Sequence, residues 1–290
     1  MVGDWAVARP GVPPGGWAFQ YANPHYPDVD DTAVVGMLLH RFDAARFAGA
    51  IERARTWIAG LQCREGGWGA FDADNDHEFL NHIPFADHGA LLDPPTADVT
   101  ARCISFLAAT GSSADDPVLA RAIAWLKGQQ EKDGSWFGRW GTNYIYGTWS
   151  ALTALNAAGL PHDDPAIRGG VNFLLSCQRE DGGWGEDEET YAGAPPGRYK
   201  VSTPSHTAWA LLGLMAAGEA DHPAVARGIA WLVAAMQADG TWEEKPYNAV
   251  GFPRVFYLRY HGYRQYFPLF ALARYRRLGE ANHRRVPFGF

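Results

Sequence analysis

Asp28-Val29-Asp30-Asp31 puts three carboxylates into four residues, ahead of Thr32-Ala33. Like charges this close push each other's pKa upward unless a helix terminus absorbs them. Two of the three have that ordinary explanation. After Pro27, Asp28 suits an N-cap and Asp31, three residues on, suits the positive end of the helix. Asp30 is an additional like charge in the same turn. Such crowding keeps a carboxyl protonated near neutral pH, where a free Asp, with a pKa of about 3.9, would be ionised. A carboxyl that retains its proton can protonate an alkene, and the product is a carbocation.

The aromatic content suits that chemistry. The 290 residues include 12 Trp, 12 Tyr and 15 Phe. Many lie in Gly- and Pro-rich stretches between helices: Phe71, Trp140, Tyr144, Tyr146, Tyr191, Phe252, Phe256 and Tyr260. A ring face stabilises a desolvated cation by roughly 0.5–2 kcal/mol and offers no lone pair to trap it. Core packing is the commoner use of such a stripe, but it explains rings in loops less well.

Internal repetition supplies the scaffold. An aromatic, then Gln five places on, Gly nine on and Trp eleven on, recurs as Trp57/Gln62/Gly66/Trp68, Trp125/Gln130/Gly134/Trp136 and Phe173/Gln178/Gly182/Trp184. A fourth copy, Trp231/Met236/Gly240/Trp242, has Met in the Gln place and Gln237 displaced by one. Arg53, Arg121 and Arg227 each stand four residues before their aromatic. A second repeat runs in step: Asp30-Asp31-Thr32-Ala33, Asp98-Val99-Thr100-Ala101, Tyr146-Gly147-Thr148-Trp149 and Ser205-His206-Thr207-Ala208.

Each Thr leads an apolar helix, such as Thr32–Leu39 or Thr207–Met215. A break follows, marked by Asp116-Pro117, Asp164-Pro165 or His222-Pro223, where Pro suits a first helical turn. A second, charged helix then ends at the Gln. The unit is a helical hairpin with a buried inner and a solvated outer helix. The fold class expected is all-α: an α/α toroid (an α6-α6-like barrel) of stacked hairpins, incomplete, with residues 1–290 as one domain. In this register Asp30 and Asp98 share a slot on adjacent inner helices. Arg102, one turn after Asp98, can stabilise the carboxylate that remains after proton donation. A purely structural Asp–Arg network is the plainer alternative.

Other chemistries fit poorly. The net charge is −7 with no basic stripe, which argues against nucleic acid. Cys63, Cys103 and Cys177 have neither metal-ligand spacing nor an even count, so no disulfide framework or zinc site is expected. No signal peptide or spanning apolar run is legible, so membrane contact is expected to be peripheral or monotopic. Asp72, Asp74 and Asp76 start like a calcium loop, but His77 stands where Gly is required and Ile83 where Glu is. No Asp-Asp-x-x-Asp cluster holds Mg²⁺ on a diphosphate. No metal and no organic cofactor is expected.

On these residues the chain resembles the squalene-hopene cyclases, class II triterpene cyclases, over essentially its whole length. Gly16–Gln20, Asp28–Ala33, Gly66–Phe71, Asn81–Phe85, Asp93-Pro94-Pro95 with Asp98–Ala101, Gly138–Gly147 and Gly251–Tyr263 carry the likeness, and the Gln/Trp repeats match that family's QW motifs. The resemblance implies cyclisation of squalene, or a similar linear isoprenoid, to hopene and hopanol. Asp30 would be the proton donor, supported by Asp28 and Asp31, with Asp98 in the acid cluster and Arg102 where some members have His. It implies that Phe19, Phe71, Phe252 and Phe256 stabilise cations. Tyr146, Tyr260 and Tyr263 would lie beside the acid and the early rings, Trp68 and Trp140 would line the cavity, and Phe85 would stand at a channel constriction next to His88.

Family members have two α/α barrels, and this chain matches the acid-bearing, C-terminal one. A second barrel, or a homodimer, is therefore an expected partner, and the cytoplasmic face of a bacterial inner membrane, or the cytoplasm, an expected location. A non-catalytic isoprenoid-binding barrel, and a cyclase of another polyprene, are the competing readings.

Overall fold

Proline opens four of the helices among the described residues, because its fixed φ fits a first turn and its missing N–H would have had no partner there. Pro117, Pro165, Pro204 and Pro223 each stand at the first position of a helix. The computed structural model describes residues 3–83, 91–198, 200–281 and 286. Phe85 and His88 lie outside the described residues.

A short α1 (Trp5–Ala8) precedes an alternation of inner and outer helices. The inner helices are α2 (Val29–Asp43), α4 (Ala97–Ala109), α6 (Tyr144–Ala157), α8 (Pro204–Ala216) and α10 (Tyr263–Glu280). The outer ones are α3 (Ala48–Gly60), α5 (Pro117–Gly128), α7 (Pro165–Cys177) and α9 (Pro223–Ala235). The fold is thus all-α, of stacked hairpins of the α/α-toroid class.

The chain falls into two compact units. The first runs to Gly128 and takes in Ala157–Gly159; the second holds Gln129–Asn156 and the chain from Leu160. Within the first, α2 packs on α3 and α4, and α4 on α5; within the second, α8 packs on α7, α9 and α10. Every residue of α8 is buried, and α4 and α6 nearly so, as inner helices require. Helix α2 departs from that expectation, since Leu38 and Phe42 are exposed.

The repeats are sockets for an amide. Gln62 Nε2 donates to Gly66 O and to Val118 O, each at 2.8 Å, and its Oε1 accepts from Arg121. Gln178 repeats this with Gly182 O and Ala224 O at 2.8 Å, and with Arg227. Gln130 donates to Gly134 O and Ala166 O at 2.9 Å, with Gly169 in the arginine's place. The turn after each Gln needs glycine: Gly66 has φ +111°, and a Cβ there would sit 2.7 Å from Arg121 O. The closing Trp is held twice. Its backbone N–H donates to the Thr hydroxyl of an inner helix, as from Trp68 to Thr100 (3.0 Å) and Trp184 to Thr207 (3.0 Å). Its indole N–H donates to a carbonyl of its own hairpin, as from Trp68 to Ile58 O (2.7 Å).

A further, partial copy exists that the spacing did not reveal. Trp17 N donates to Thr32 Oγ1 at 2.8 Å, as Trp68 N does to Thr100. Gly15 and Gly16 lie against Arg53 and Trp57 as Gly66 and Gly67 lie against Arg121 and Trp125. The copy escaped notice because Ala6 and Gly11 occupy its aromatic and Gln places.

Two small antiparallel ribbons were not anticipated. Strand β1 (Trp17–Ala18) pairs with β2 (Pro27–Asp28), and β3 (Ala249–Phe252) with β4 (Phe256–Leu258). The first fixes the entry into α2; the second sets Phe252 opposite Phe256.

Candidate active site

The acid cluster is built by the start of α2. With Pro27 held in β2, Asp28 enters in extended conformation as the N-cap, and its Oδ1 accepts from Asp31 N at 2.8 Å. The Thr32 hydroxyl donates to Asp28 O at 2.6 Å, and Val29 N donates to Ala70 O at 2.7 Å. The N-cap explanation thus holds for Asp28 and Asp31, and it leaves Asp30 over.

Asp30 Oδ1 is sealed from solvent and accepts no hydrogen bond; Arg102 Nε lies 3.6 Å away. The side chain as a whole is nevertheless 31% exposed, so one oxygen faces the guanidinium from inside while the rest of the carboxyl stays accessible. Arg102 and Asp98 are buried on α4, and Asp98 Oδ1 accepts from Val99 N at 3.1 Å.

Electrostatics favour the protonated cluster. Burial, followed by the charge of Asp30, pushes Asp28 up to about 8, against the pull of the Asp31 N–H. Burial pushes Asp30 up to about 6; Arg102 draws it down, while Asp98 and Asp31 add to the rise. Burial also raises Asp31. Between them Asp28 and Asp30 keep a proton at neutral pH, and Asp30 is the member whose side chain is partly exposed.

The remaining expected residues of the first unit are dispersed. Phe71 is half-buried, with the Tyr26 ring 4.9 Å away. Its backbone is held by a residue given no role from sequence: the Asp93 carboxylate accepts from Ala70 N, Phe71 N and Asp72 N at 3.0, 2.6 and 2.7 Å. The signal for it was the Asp before Pro94-Pro95. Phe19 is exposed. Trp68 is fully buried with its indole N–H bonded to Ile58 O, so it braces the core and does not line a cavity.

The second unit gathers the expected rings in two groups. Tyr146 packs on Trp149 (5.6 Å) and Trp209 (5.0 Å); Tyr263 lies 5.0 Å from Tyr260, 5.0 Å from Phe267 and 6.0 Å from Trp209. Phe252 and Phe256 meet edge-on at 5.6 Å, and the Arg139 guanidinium stands over the rings of Trp140 (4.2 Å) and Phe252 (5.5 Å). Sequence reasoning missed Trp209, Phe267 and Arg139. Trp209 lies on the apolar inner helix α8, which read as core; Phe267 lies in the polar, arginine-bearing α10, and it and an Arg beside Trp140 carried no pattern. Tyr191, noted only as a loop ring, donates its hydroxyl proton toward Gly138 O (2.7 Å) and Gly141 O (3.0 Å), bracing the turn that carries Trp140.

A family model described as the squalene-hopene cyclase C-terminal domain matches residues 1–277. Squalene-hopene cyclase from Schizosaccharomyces japonicus is 64% identical over 290 residues, covering 100% of this chain and 44% of its own length. That of Zymomonas mobilis is 58% identical over 295 residues, covering 99% and 44%. The chain therefore spans less than half the length of these curated relatives. Among solved structures, a type II terpene cyclase from Scytonema in complex with merosterolic acid A superposes with a TM-score of 0.65 at 20% identity, covering 93% of this chain and 78% of that one. At that identity the likeness is one of fold.

Proposed function

Since the chain belongs to the squalene-hopene cyclase family, we propose that it supplies the Brønsted acid of a proton-initiated triterpene cyclisation, converting squalene to hopene, or to hopanol where water ends the cascade. The reading rests on Asp30: an accessible carboxyl with one oxygen sealed, free of hydrogen bonds and facing Arg102. The proton passes from Asp30 to a terminal isoprene double bond. The cation it leaves is closed by successive internal alkenes, and loss of a proton or addition of water ends the sequence. Arg102 stabilises the carboxylate left behind, which favours donation, while the charges of Asp98 and Asp31 favour reloading. Phe252, Phe256, Trp140, Tyr146, Tyr260 and Tyr263 are the rings assigned to the passing positive charge.

In such an enzyme a second barrel would complete the acid-bearing one that this chain matches. A peripheral or monotopic seat on a membrane fits an insoluble polyprene; among the described residues no helix is long and apolar enough to cross one.

The test is a chimera in which this chain replaces the matching part of the Schizosaccharomyces japonicus cyclase. Incubated with squalene, it yields pentacyclic products. Asp30→Asn lowers turnover by about 10³-fold or more, the scale of a lost general acid, with protein folding intact. Products formed equally by the Asn variant overturn the assignment.

A further inference from the structure

The partial repeat at Gly15-Gly16-Trp17 has a receiving half and no glutamine. In the two filled copies that carry an arginine the receiving half consists of a glycine carbonyl (Gly66, Gly182), the carbonyl three residues before the arginine (Val118, Ala224), and that arginine (Arg121, Arg227). The same three elements recur as Gly15 O, Ala50 O and Arg53. Gly15 approaches Arg53 closely enough that a Cβ would clash with its carbonyl oxygen, as at Gly66 with Arg121. Arg53 is exposed, and its guanidinium makes no hydrogen bond or ion pair with any described residue.

We propose that Gly15, Ala50 and Arg53 form a docking site for the C-terminal end of a helix that carries a glutamine and is supplied by polypeptide outside these 290 residues. Two carbonyls and one guanidinium define the occupant. The two carbonyls need a two-proton donor, the guanidinium needs an acceptor, and one primary amide offers both. A carboxylate faces two carbonyl oxygens without a proton; an ammonium faces Arg53. In each filled copy the Gln stands one or two residues beyond an outer helix (α3, α5 or α7), so a helix end is the element that delivers it. Gly15 and Trp57 also border a cleft of about 430 Å³ walled by Trp5, Pro14, Trp17 and Pro27, which has room for apolar side chains of an arriving segment. More than half of each relative's length lies outside the matched region, which is ample for such a helix. The inference stands on the repeat geometry and does not depend on the reaction catalysed.

The chain's own Gln-bearing helix serves as the probe. A second copy of residues 46–64, fused ahead of residue 1 through a flexible Gly/Ser linker, reaches an effective concentration in the millimolar range. The graft raises the unfolding midpoint by about 3 °C and slows amide exchange at Gly15. The gain vanishes when the grafted Gln62 is changed to Leu, and when Arg53→Ala is introduced in the receiving chain. Without the graft, Arg53→Ala leaves the midpoint unchanged, whereas Arg121→Ala, in a filled socket, lowers it. Equal gains from the Gln and Leu grafts reveal apolar adhesion and overturn the proposal, as does the absence of any gain from the Gln graft.

Discussion

Helices α2 and α6 both begin beside buried carboxyls whose pKa is raised, and the two beginnings satisfy those carboxyls differently. At α6 the carboxyl is Glu186, fully buried and pushed up to about 7 by burial. Its Oε2 accepts from Ile145 N (2.8 Å) and Asn143 N (3.3 Å), and its Oε1 from Gly197 N (3.1 Å). Glu244 caps α8 in the same manner, accepting from Ser205 N and Oγ at 3.1 and 2.7 Å. At α2, Asp30 Oδ1 accepts nothing and its carboxyl has an open side. A raised pKa therefore marks burial. What separates an acid from a cap is whether its oxygens are satisfied and whether a substrate has access.

Exchanging each carboxyl for its amide tests that distinction. Glu186→Gln puts an NH₂ against N–H donors, either those of α6 or that of Gly197, whichever way the amide turns. With buried donors left facing donors, the cost is about 2–4 kcal/mol, measured by urea unfolding. A loss below about 0.5 kcal/mol would remove the difference between the two helix starts.

The same exchange at α2 has the opposite sign. The folded-state pKa values of Asp28 and Asp30 lie above the unfolded one, so the folded state holds protons that the unfolded state has released. Their contribution is full below about pH 4 and is lost as pH rises through about 6 for Asp30 and about 8 for Asp28. Asp28→Asn keeps the acceptor for Asp31 N and abolishes that loss. Its advantage over the wild type grows from nothing near pH 4 to about 1 kcal/mol or more at pH 8.5. Asp30→Asn gains less, because it also gives up the pairing with Arg102. Unfolding free energies at a series of pH values decide it: a gain that does not change with pH shows that the fold does not hold protons on Asp28 and Asp30.

Much of this was legible in the chain. The Gln/Gly/Trp spacing predicted the hairpins, Pro117, Pro165 and Pro223 fell at helix starts, and the excess charge of Asp30 over an ordinary N-cap corresponds to a carboxyl oxygen with no hydrogen bond. The illegible parts share a cause. Glu186 and Glu244 cap helices about 40 residues away in sequence, and only the folded turn after each repeat Trp brings them there. Leu38 fell in the apolar stretch Thr32–Leu39 that read as buried, yet it is exposed, because burial depends on what packs beside α2 and not on its own pattern. Trp68 read as a cavity residue, but its indole N–H is spent on Ile58 O. Asp93 grips three successive N–H groups through a loop whose shape no local propensity announces.

The smallest effect isolates the cluster from ordinary helix capping. Asp164 caps α7 much as Asp28 caps α2, its side chain accepting from Ala166 N at 2.9 Å; Asp163 precedes it in the chain, but no carboxylate stands in the first turn of α7 itself. Asp164→Ala costs about 1 kcal/mol, the usual worth of an N-cap, and Asp164→Asn, which retains the acceptor, costs only a few tenths. Because the capping bond is alike at the two sites, subtracting the Asp164→Asn effect from the Asp28→Asn effect leaves what the neighbouring Asp30 and the burial of the α2 terminus contribute. That remainder is expected to be stabilising and to grow with pH. If Asp164→Asn stabilises the chain on the alkaline side as strongly as Asp28→Asn does, the gain at α2 belongs to helix termini in general, and the acid cluster loses its claim to be a store of protons.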